Sequence, residues 1–470
     1  MSSAAESFRS VNPATGETLA QYRATDPQQL SVLLSAAERA SHAWPTTTVA
    51  HRAAALLRLA ELFDLHLDSL AALITDEMGK PILEARAEVA KCAACCRYYA
   101  SQAESLLAPV ALSIDSGRAS YTYRPLGILL GIMPWNYPFW QAMRFAVPAL
   151  IGGNVALLKP ASNVVGCAQA LERLFQEAGF PAGAFTVILV PSSEIETVIA
   201  DPRVRGVSLT GSERAGSAVA AIAGRYLKKT VLELGGSDPF IVCEDAHLDA
   251  AIEGAVKGRF QNAGQSCIAA KRFLIDRRVY EPFLEGYIAA VRRLVIGDPR
   301  REATTLGPLA RHDFRAVLQD QVDRSIAMGA EVALAGGVVD PAALPVACAA
   351  GAYFAPIILR DVSTAMPVMR EEVFGPVAAV RAVVDIEEAI AVANDSPYGL
   401  SASLWSRDLD RTQRLAARIE SGALFINQST ASDPRLPFGG VKRSGYGREL
   451  AMIGPTEFLN CQTLVEKDGP

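Results

Sequence analysis

LGILLGIMPWNYPFWQAMRFAVPALIGGNVALLKP, residues 126–160, is the stretch whose reading decides the fold. It opens on the apolar run ILLGIM (128–133), closes on VALLK (155–159), and holds a segment of helical length between them. Neither run alternates apolar with polar residues, the pattern expected of strands covered on both faces in a parallel sheet. From 125 to 158 the only charge is Arg144, so hydropathy alone would suggest a membrane span. Pro125, Pro134, Pro138, Pro148 and the pair Gly152–Gly153 would break such a helix repeatedly, and buried strand–turn–helix packing explains the stretch better.

The same alternation continues outward. FTVILV (185–190), GVSLT (206–210) and TVLEL (230–234) read as further buried strands, and VVGCAQALERLFQEAGF (164–180) as a helix stopped by Gly179 and Pro181. Repetition of this unit predicts a doubly wound α/β domain. After GGSDPF a second α/β series begins: FIVCE, a helix through 246–262, RFLID, and further alternations to ALFIN (423–427). Gly, Pro and Asp cluster at Gly235–Asp238, which predicts a boundary there. Residues 26–105 have helical apolar spacing, Val110–Arg124 read as an extended arm or hairpin, and the chain is expected to return to the first unit near 432–447.

At 470 residues the chain is too long for one core, and with half its residues hydrophobic it belongs among well-buried globular proteins. A net charge of −5 with no basic block argues against a nucleic-acid partner. Met1–Arg9 lack the basic start and apolar middle of a secretory signal, so a cytosolic protein without membrane association is expected. Eight cysteines are sparse for a disulfide framework. Cys92, Cys95 and Cys96 fall in a helical run without a second cysteine pair or a suitably spaced histidine, so packing is preferred there to zinc or redox chemistry and no metal site is expected.

Three residues stand out chemically. Cys267, in QNAGQSCIAAKRF (261–273), lies between a predicted helix and a strand and is either a nucleophile or inert packing. Glu233 ends a strand otherwise buried on both faces, where a charge is costly unless it is paired or functional. The carboxyl ends of parallel strands face the ligand crevice. Asn136, between two prolines in MPWNYP (133–138), is either a turn residue or a donor to a developing oxyanion. Lys159-Pro160-Ala161-Ser162 and Thr210-Gly211-Ser212 each follow a strand and are read as opening a helix, a setting suited to ribose and phosphates. No GxGxxG fingerprint occurs.

In order along the chain, NPATGE (12–17), MGKP (78–81), PWNYP (134–138), KPAS (159–162), TGSERAG (210–216), ELGGSDPF (233–240), GQSC (264–267), EEVFGP (371–376) and PFGGVKRSGYGREL (437–450) resemble the aldehyde dehydrogenase superfamily over nearly the whole length. That resemblance implies an α/β fold with two doubly wound domains. The cofactor-binding domain would comprise 1–107 and 124–235, with 432–447 returning to it. A catalytic domain would span 236–431, and an oligomerisation arm would be built from 108–123 and 448–470. It implies Cys267 as nucleophile, Glu233 as the base for the deacylating water, and Asn136 with the Cys267 N–H as oxyanion hole. Cofactor contacts would come from Pro134, Trp135, Lys159, Pro160, Ala161, Ser162, Gly211, Ser212, Leu234, Glu372 and Phe374, with Glu449 on a proton path. Family branches that pass the acyl group to coenzyme A lack the glutamate found here at 233, so water is the expected acceptor.

NAD-preferring relatives often carry Glu where this chain has Ser162, which predicts NADP as the preferred cofactor with NAD accepted. Within the family the chain most resembles bacterial succinate-semialdehyde dehydrogenases, chiefly in PWNYPFWQAMRFAVPAL, TVLELGGSDPFIV, GQSCIAAKRF and PFGGVKRSGYGREL. Arg144, alone in an uncharged run, needs either a substrate carboxylate or an internal acid as partner. Ser266 and Ser432 match positions that bind that carboxylate in the family. FINQST departs from the usual FING at Gln428, which keeps glutarate semialdehyde and uncharged or aromatic aldehydes open as substrates. A homodimer or homotetramer is expected. Two other readings stay open: a binding or structural protein on an inactivated scaffold, and a plain esterase using Cys267.

Overall fold

The computed structural model describes residues 7–115 and 117–467; the first residues of the expected segment 1–107 and the last of 448–470 lie outside them. Four helices, Pro27–Ala43, Val49–Leu65, Leu67–Met78 and Ile82–Leu107, precede the first long sheet. Asp26 and Gln29 form a reciprocal cap with Pro27 in the first turn of the first helix. Gly79 stops the third at φ 80°, where a Cβ would lie 2.6 Å from Pro308. Cys92, Cys95 and Cys96 are buried in the fourth helix.

The strands of 126–234 form one sheet with Ile128–Ile132 at its centre. Val155–Lys159 and Phe185–Val187 lie on one side; Val204–Thr210 and Lys229–Glu233 lie on the other, all parallel. Strand order therefore reverses between Ile128–Ile132 and Val204–Thr210, which opens a crevice at their carboxyl ends. FTVILV is strand only over Phe185–Val187: this is the sheet edge, and Leu189 instead exchanges hydrogen bonds with Thr25, its N–H donating to Thr25 Oγ1 and its C=O accepting from Thr25 N–H, each 2.9 Å. The uncharged stretch becomes a helix, Trp140–Ile151, buried at every position between neighbouring strands. Among the described residues no helix is long and apolar enough to cross a membrane.

Lys229–Glu233 ends the first series, and Asp238–Val242 starts a seven-stranded sheet with Ala270–Asp276, Val377–Val383 and Ser401–Trp405 among its parallel strands. Ala423–Ile426 closes one edge; Asn427, at φ 54°, ends it and bonds Ser406 through its side-chain amide. The chain then crosses back: Gly445–Tyr446 pairs antiparallel with Lys229–Glu233. Val110–Ile114 and Gly117–Pro125 form a hairpin that pairs with Leu459–Glu466 in a separate three-stranded sheet.

Candidate active site

The carboxyl ends of the first sheet's strands meet the amino ends of the second sheet's strands, and the chemically distinctive residues gather at that junction. Glu233 is the last residue of a strand in the first sheet, and Asp238 is the first of a strand in the second. Cys267 precedes Ala270–Asp276 and is half-buried. Its approach is forced. Asn262, Ala263 and Gly264 are all left-handed (φ 54°, 52° and 73°), costly conformations for the first two. Gly264 is obligatory, because a Cβ there would lie 2.5 Å from Gly375 O. Buried Arg259 pins this turn by donating to Gly264 O (2.8 Å) and Gly375 O (2.6 Å), which ties the Cys267 loop to the loop carrying Glu372 and Phe374.

The Asn136 loop is held just as firmly. Asn262 Nδ2 donates to Asn136 O (2.9 Å), and Asn136 Nδ2 donates to Gln265 O (3.1 Å). Glu88, paired with Lys80, accepts from the N–H groups of Phe139 (2.9 Å) and Trp140 (3.0 Å), a buried carboxylate at the start of the Trp140–Ile151 helix. Asn136 thus spends one amide hydrogen on Gln265 and keeps the other for the cavity. The backbone N–H of Cys267 has no hydrogen-bond partner among the described residues.

Cys267 is shared by two cavities. The first, about 310 Å³, is bounded by Pro134, Trp135, Asn136, Gly211, Ser212, Leu234, Glu372 and Phe374. Ser212 caps the following helix (its Oγ accepts from Ala215 N–H at 3.3 Å), so a helix amino terminus faces this space. Glu372 accepts from Gly236 N–H (3.0 Å), and Gly235 allows it to lie there, since a Cβ would sit 2.5 Å from its carboxylate. Lys159, Pro160, Ala161 and Ser162 do not line this cavity. They follow the next strand over, where Lys159 pairs with Ile132, and Ser162 is exposed. That turn also does not open a helix directly, because the helix begins at Val165 and has no side-chain cap. Lys159 has no carboxylate within ion-pair distance among the described residues, and burial lowers its pKa.

The second cavity, about 140 Å³, is lined by Arg144, Ser266 and Ser432 together with Glu84, Lys91, Tyr137 and Trp140. A third, of about 330 Å³, contains Gln428 and shares Ile268, Ala431, Ser432 and Phe438 with the second. Arg144 departs from the expectation of a cation awaiting substrate. It is ion-paired with Glu449, bonded to Thr210 Oγ1 (3.2 Å) and seated 4.3 Å from the Phe438 ring. The internal acid comes from the returning segment, remote in sequence, and offsets the charge of a guanidinium only 1% exposed.

Glu233 lines neither cavity. It is 2% exposed, its carboxylate packs against Gly439, and neither oxygen has a hydrogen-bond partner among the described residues. Burial raises its pKa well above the usual carboxylate range; the charge of Glu449 adds to this, and Arg144 and Arg448 oppose it. Burial likewise pushes the Cys267 thiol up to about 12 against the pull of Arg144 and Lys271. Lys271, which was not singled out from the sequence, donates to Ser266 O (3.0 Å) and Cys267 O (2.8 Å) and lies 3.8 Å from Glu372. Nothing in its local sequence distinguishes it from a surface lysine; only its burial between the two loops does.

Among the described residues, Cys243, Glu244 and Asp245 bring ligand-type atoms within 4.8 Å of one another. Glu244 is held by Arg411 and Arg278, and Asp245 by Ser406 and the N–H groups of Arg407 and Asp408, so the cluster is internally satisfied.

Comparison with known proteins places nearly the whole chain in one family. The model of the "Aldehyde dehydrogenase family" matches residues 1–464. A Synechocystis protein named "Probable succinate-semialdehyde dehydrogenase, NADP(+)" is 47% identical, covering 97% of this chain and 98% of its own. The Escherichia coli succinate semialdehyde dehydrogenase Sad, described as NAD(P)+-dependent, is 45% identical over 97% of each chain. The structure of succinic semialdehyde dehydrogenase from Streptococcus pyogenes in complex with NADP+ superposes with a TM-score of 0.95 at 38% identity, covering 98% of this chain and 100% of that one. With the family model matched over nearly its whole length and relatives 45–47% identical across 97% of it, this chain belongs to the aldehyde dehydrogenase family.

Proposed function

We propose that the protein oxidises succinate semialdehyde to succinate with NADP+ as preferred acceptor and NAD+ as an accepted one. The observation that carries this reading is the position of Cys267, which lines two cavities at once. A nicotinamide and an aldehyde can therefore approach one sulfur from opposite sides. The first cavity suits the cofactor: it combines a helix amino terminus, glycines at 211 and 235, and flat aromatic walls from Trp135, which stacks on Phe314 at 5.1 Å and meets Phe374 edge-on at 5.7 Å. Lys159, with no acidic partner among the described residues, and the neutral Ser162 lie outside this cavity after the neighbouring strand, where the ribose and its 2′-phosphate would have to reach them.

Cys267 Sγ gives its proton to water in the cavity and adds to the aldehyde carbon. The oxyanion of the thiohemiacetal takes hydrogen bonds from the free amide hydrogen of Asn136 and from the Cys267 N–H. NADP+, when bound, would supply the hydride acceptor. Glu233, unbonded and free to turn from Gly439 toward the thioester, takes the proton of the attacking water. Glu449, which also accepts from Ser208 Oγ at 3.1 Å, sets the charge Glu233 experiences and leads its proton away. The acid leaves on the side of Ser266 and Ser432.

The exposed apolar residues Val110, Leu112, Ile114, Leu464 and Val465 on the three-stranded sheet support a homodimer or homotetramer. Free cysteines throughout support a cytosolic location.

A panel of aldehydes with and without a terminal carboxylate, each assayed with NAD+ and NADP+, tests the assignment. Succinate semialdehyde with NADP+ is expected to give the highest kcat/KM. Glutarate semialdehyde is the competitor to beat, since Gln428 replaces the usual glycine near the substrate side. Two variants sharpen the test. Ser162→Glu is expected to raise KM for NADP+ by roughly 5- to 150-fold and to leave NAD+ use intact, the range of a typical coupling energy. Glu449→Gln removes a negative charge that holds the Glu233 pKa up and leaves Arg144 unpaired beside it. Its rising pH–kcat limb is therefore expected to move toward lower pH by on the order of one unit. An unmoved limb would separate Glu449 from Glu233 ionisation.

A further inference from the structure

The substrate-side cavity holds a second cation besides Arg144, and this one has no acidic partner among the described residues. Lys91 projects into it from the helix Ile82–Leu107, with Nζ 4.2 Å from the centre of the Trp140 ring. The acids nearest to it in effect are already used: Glu88 pairs with Lys80, and Asp433 with Arg435. Arg144 is neutralised by Glu449. The remaining acid of the cavity, Glu84, is two helical turns away, about 10 Å along the axis. It accepts from Asn262 N–H at 2.7 Å. Among the described residues no carboxylate lies within ion-pair distance of Lys91.

Ser432 completes the arrangement. Its Oγ accepts from Lys91 Nζ (2.6 Å) and from Trp140 Nε1 (2.9 Å). A hydroxyl oxygen has two lone pairs, so both are spent, and the hydroxyl hydrogen must seek an acceptor. None is present among the described residues, which leaves the O–H, like the remaining N–H groups of Lys91, directed at whatever fills the cavity. Two adjacent donors, one of them charged, with no counter-charge of their own, match a single carboxylate.

We propose that Lys91, with Ser432, binds the terminal carboxylate of the substrate and sets the preference for ω-carboxylate aldehydes. Arg144, which lines the same cavity, holds Glu449. The proposal rests on the semialdehyde reading and names the residue that would carry its specificity. Burial, and after it the charge of Arg144, lowers Lys91 to about 8, while Cys92, Glu88 and Asp433 hold it up. Lys91 of the free enzyme therefore sheds its charge as the pH rises through that value, and KM for the semialdehyde should climb there more steeply than KM for an uncharged aldehyde.

The test compares succinate semialdehyde with butanal in the wild type, Lys91→Met and Lys91→Arg, with thermal unfolding of each to verify folding. In Lys91→Met the ratio of kcat/KM for the semialdehyde to that for butanal should fall roughly 10- to 100-fold, mainly through KM, as expected for one lost charge-assisted contact. Lys91→Arg should keep most of the ratio and lose the alkaline rise in KM. A wild type that prefers the semialdehyde, with that preference intact in Lys91→Met, overturns the assignment of Lys91 alone. A wild type indifferent between the two aldehydes overturns the semialdehyde reading and this assignment with it.

Discussion

Replacing Cys267 by alanine is expected to lower aldehyde oxidation by at least about 10⁴-fold, with NADP+ affinity changed only slightly. The magnitude follows from the loss of covalent catalysis, in which every later step depends on the carbon–sulfur bond. Cofactor affinity should survive because the walls of the first cavity belong to other loops: Trp135 follows one strand, Ser212 another, and Glu372 and Phe374 lie on a loop tied down by Arg259. The left-handed turn at Asn262–Gly264 is held by Arg259 and by the Asn262 side chain, neither of which touches the thiol. Steady-state NADPH formation and cofactor titration by fluorescence would measure the two effects separately. Appreciable turnover in the variant would remove Cys267 from the mechanism. It would also revive the reading of this chain as a binding protein on a dehydrogenase scaffold.

Glu233→Gln should split the reaction in two. The amide keeps the shape of the carboxyl but cannot accept the proton of water, so mixing with saturating aldehyde and NADP+ should give a burst of NADPH near one equivalent per active site. The steady rate that follows should be about 10²- to 10⁴-fold below the wild type. Mass spectrometry of the stalled enzyme should find an acyl group on Cys267. In the wild type the steady rate should rise with pH, since burial and Glu449 keep Glu233 protonated above the usual carboxylate range and only its ionised form serves as base. The variant should lose that rise. Full turnover would assign water activation to another group; loss of the burst itself would place Glu233 before hydride transfer. The burst also distinguishes this chemistry from plain ester hydrolysis, which needs no cofactor.

The residues at the junction differ in how far their neighbours along the chain announce them. Cys267, Glu233 and Asn136 were legible because each breaks a local rule: a polar group at the end of a buried strand, or a thiol between Gly-Gln-Ser and a strand. Glu88, Arg259, Asn262, Lys271 and Lys91 break none. On their helices and strands they look like ordinary solvated or capping residues, and they become functional candidates only when packing removes them from water or turns them into a cavity. Arg144 makes the same point. Sequence showed that a lone guanidinium in an apolar run had to find an anion, but the anion is Glu449, 305 residues later, delivered when the chain crosses back to the first sheet.

By itself, then, the sequence determined the family and the parallel strands within 126–234, since these depend on short-range pattern: unalternating apolar runs, glycines and prolines at turns, and the order of motifs. Tertiary structure alone decided which charges are paired. Coulombic partners are chosen by proximity in space and by burial, and neither is a function of separation along the chain. Glu449 neutralises Arg144, Lys80 neutralises Glu88, and Lys91 is left without an acidic partner among the described residues beside Ser432, because two packed helices and a returning segment bring those groups together.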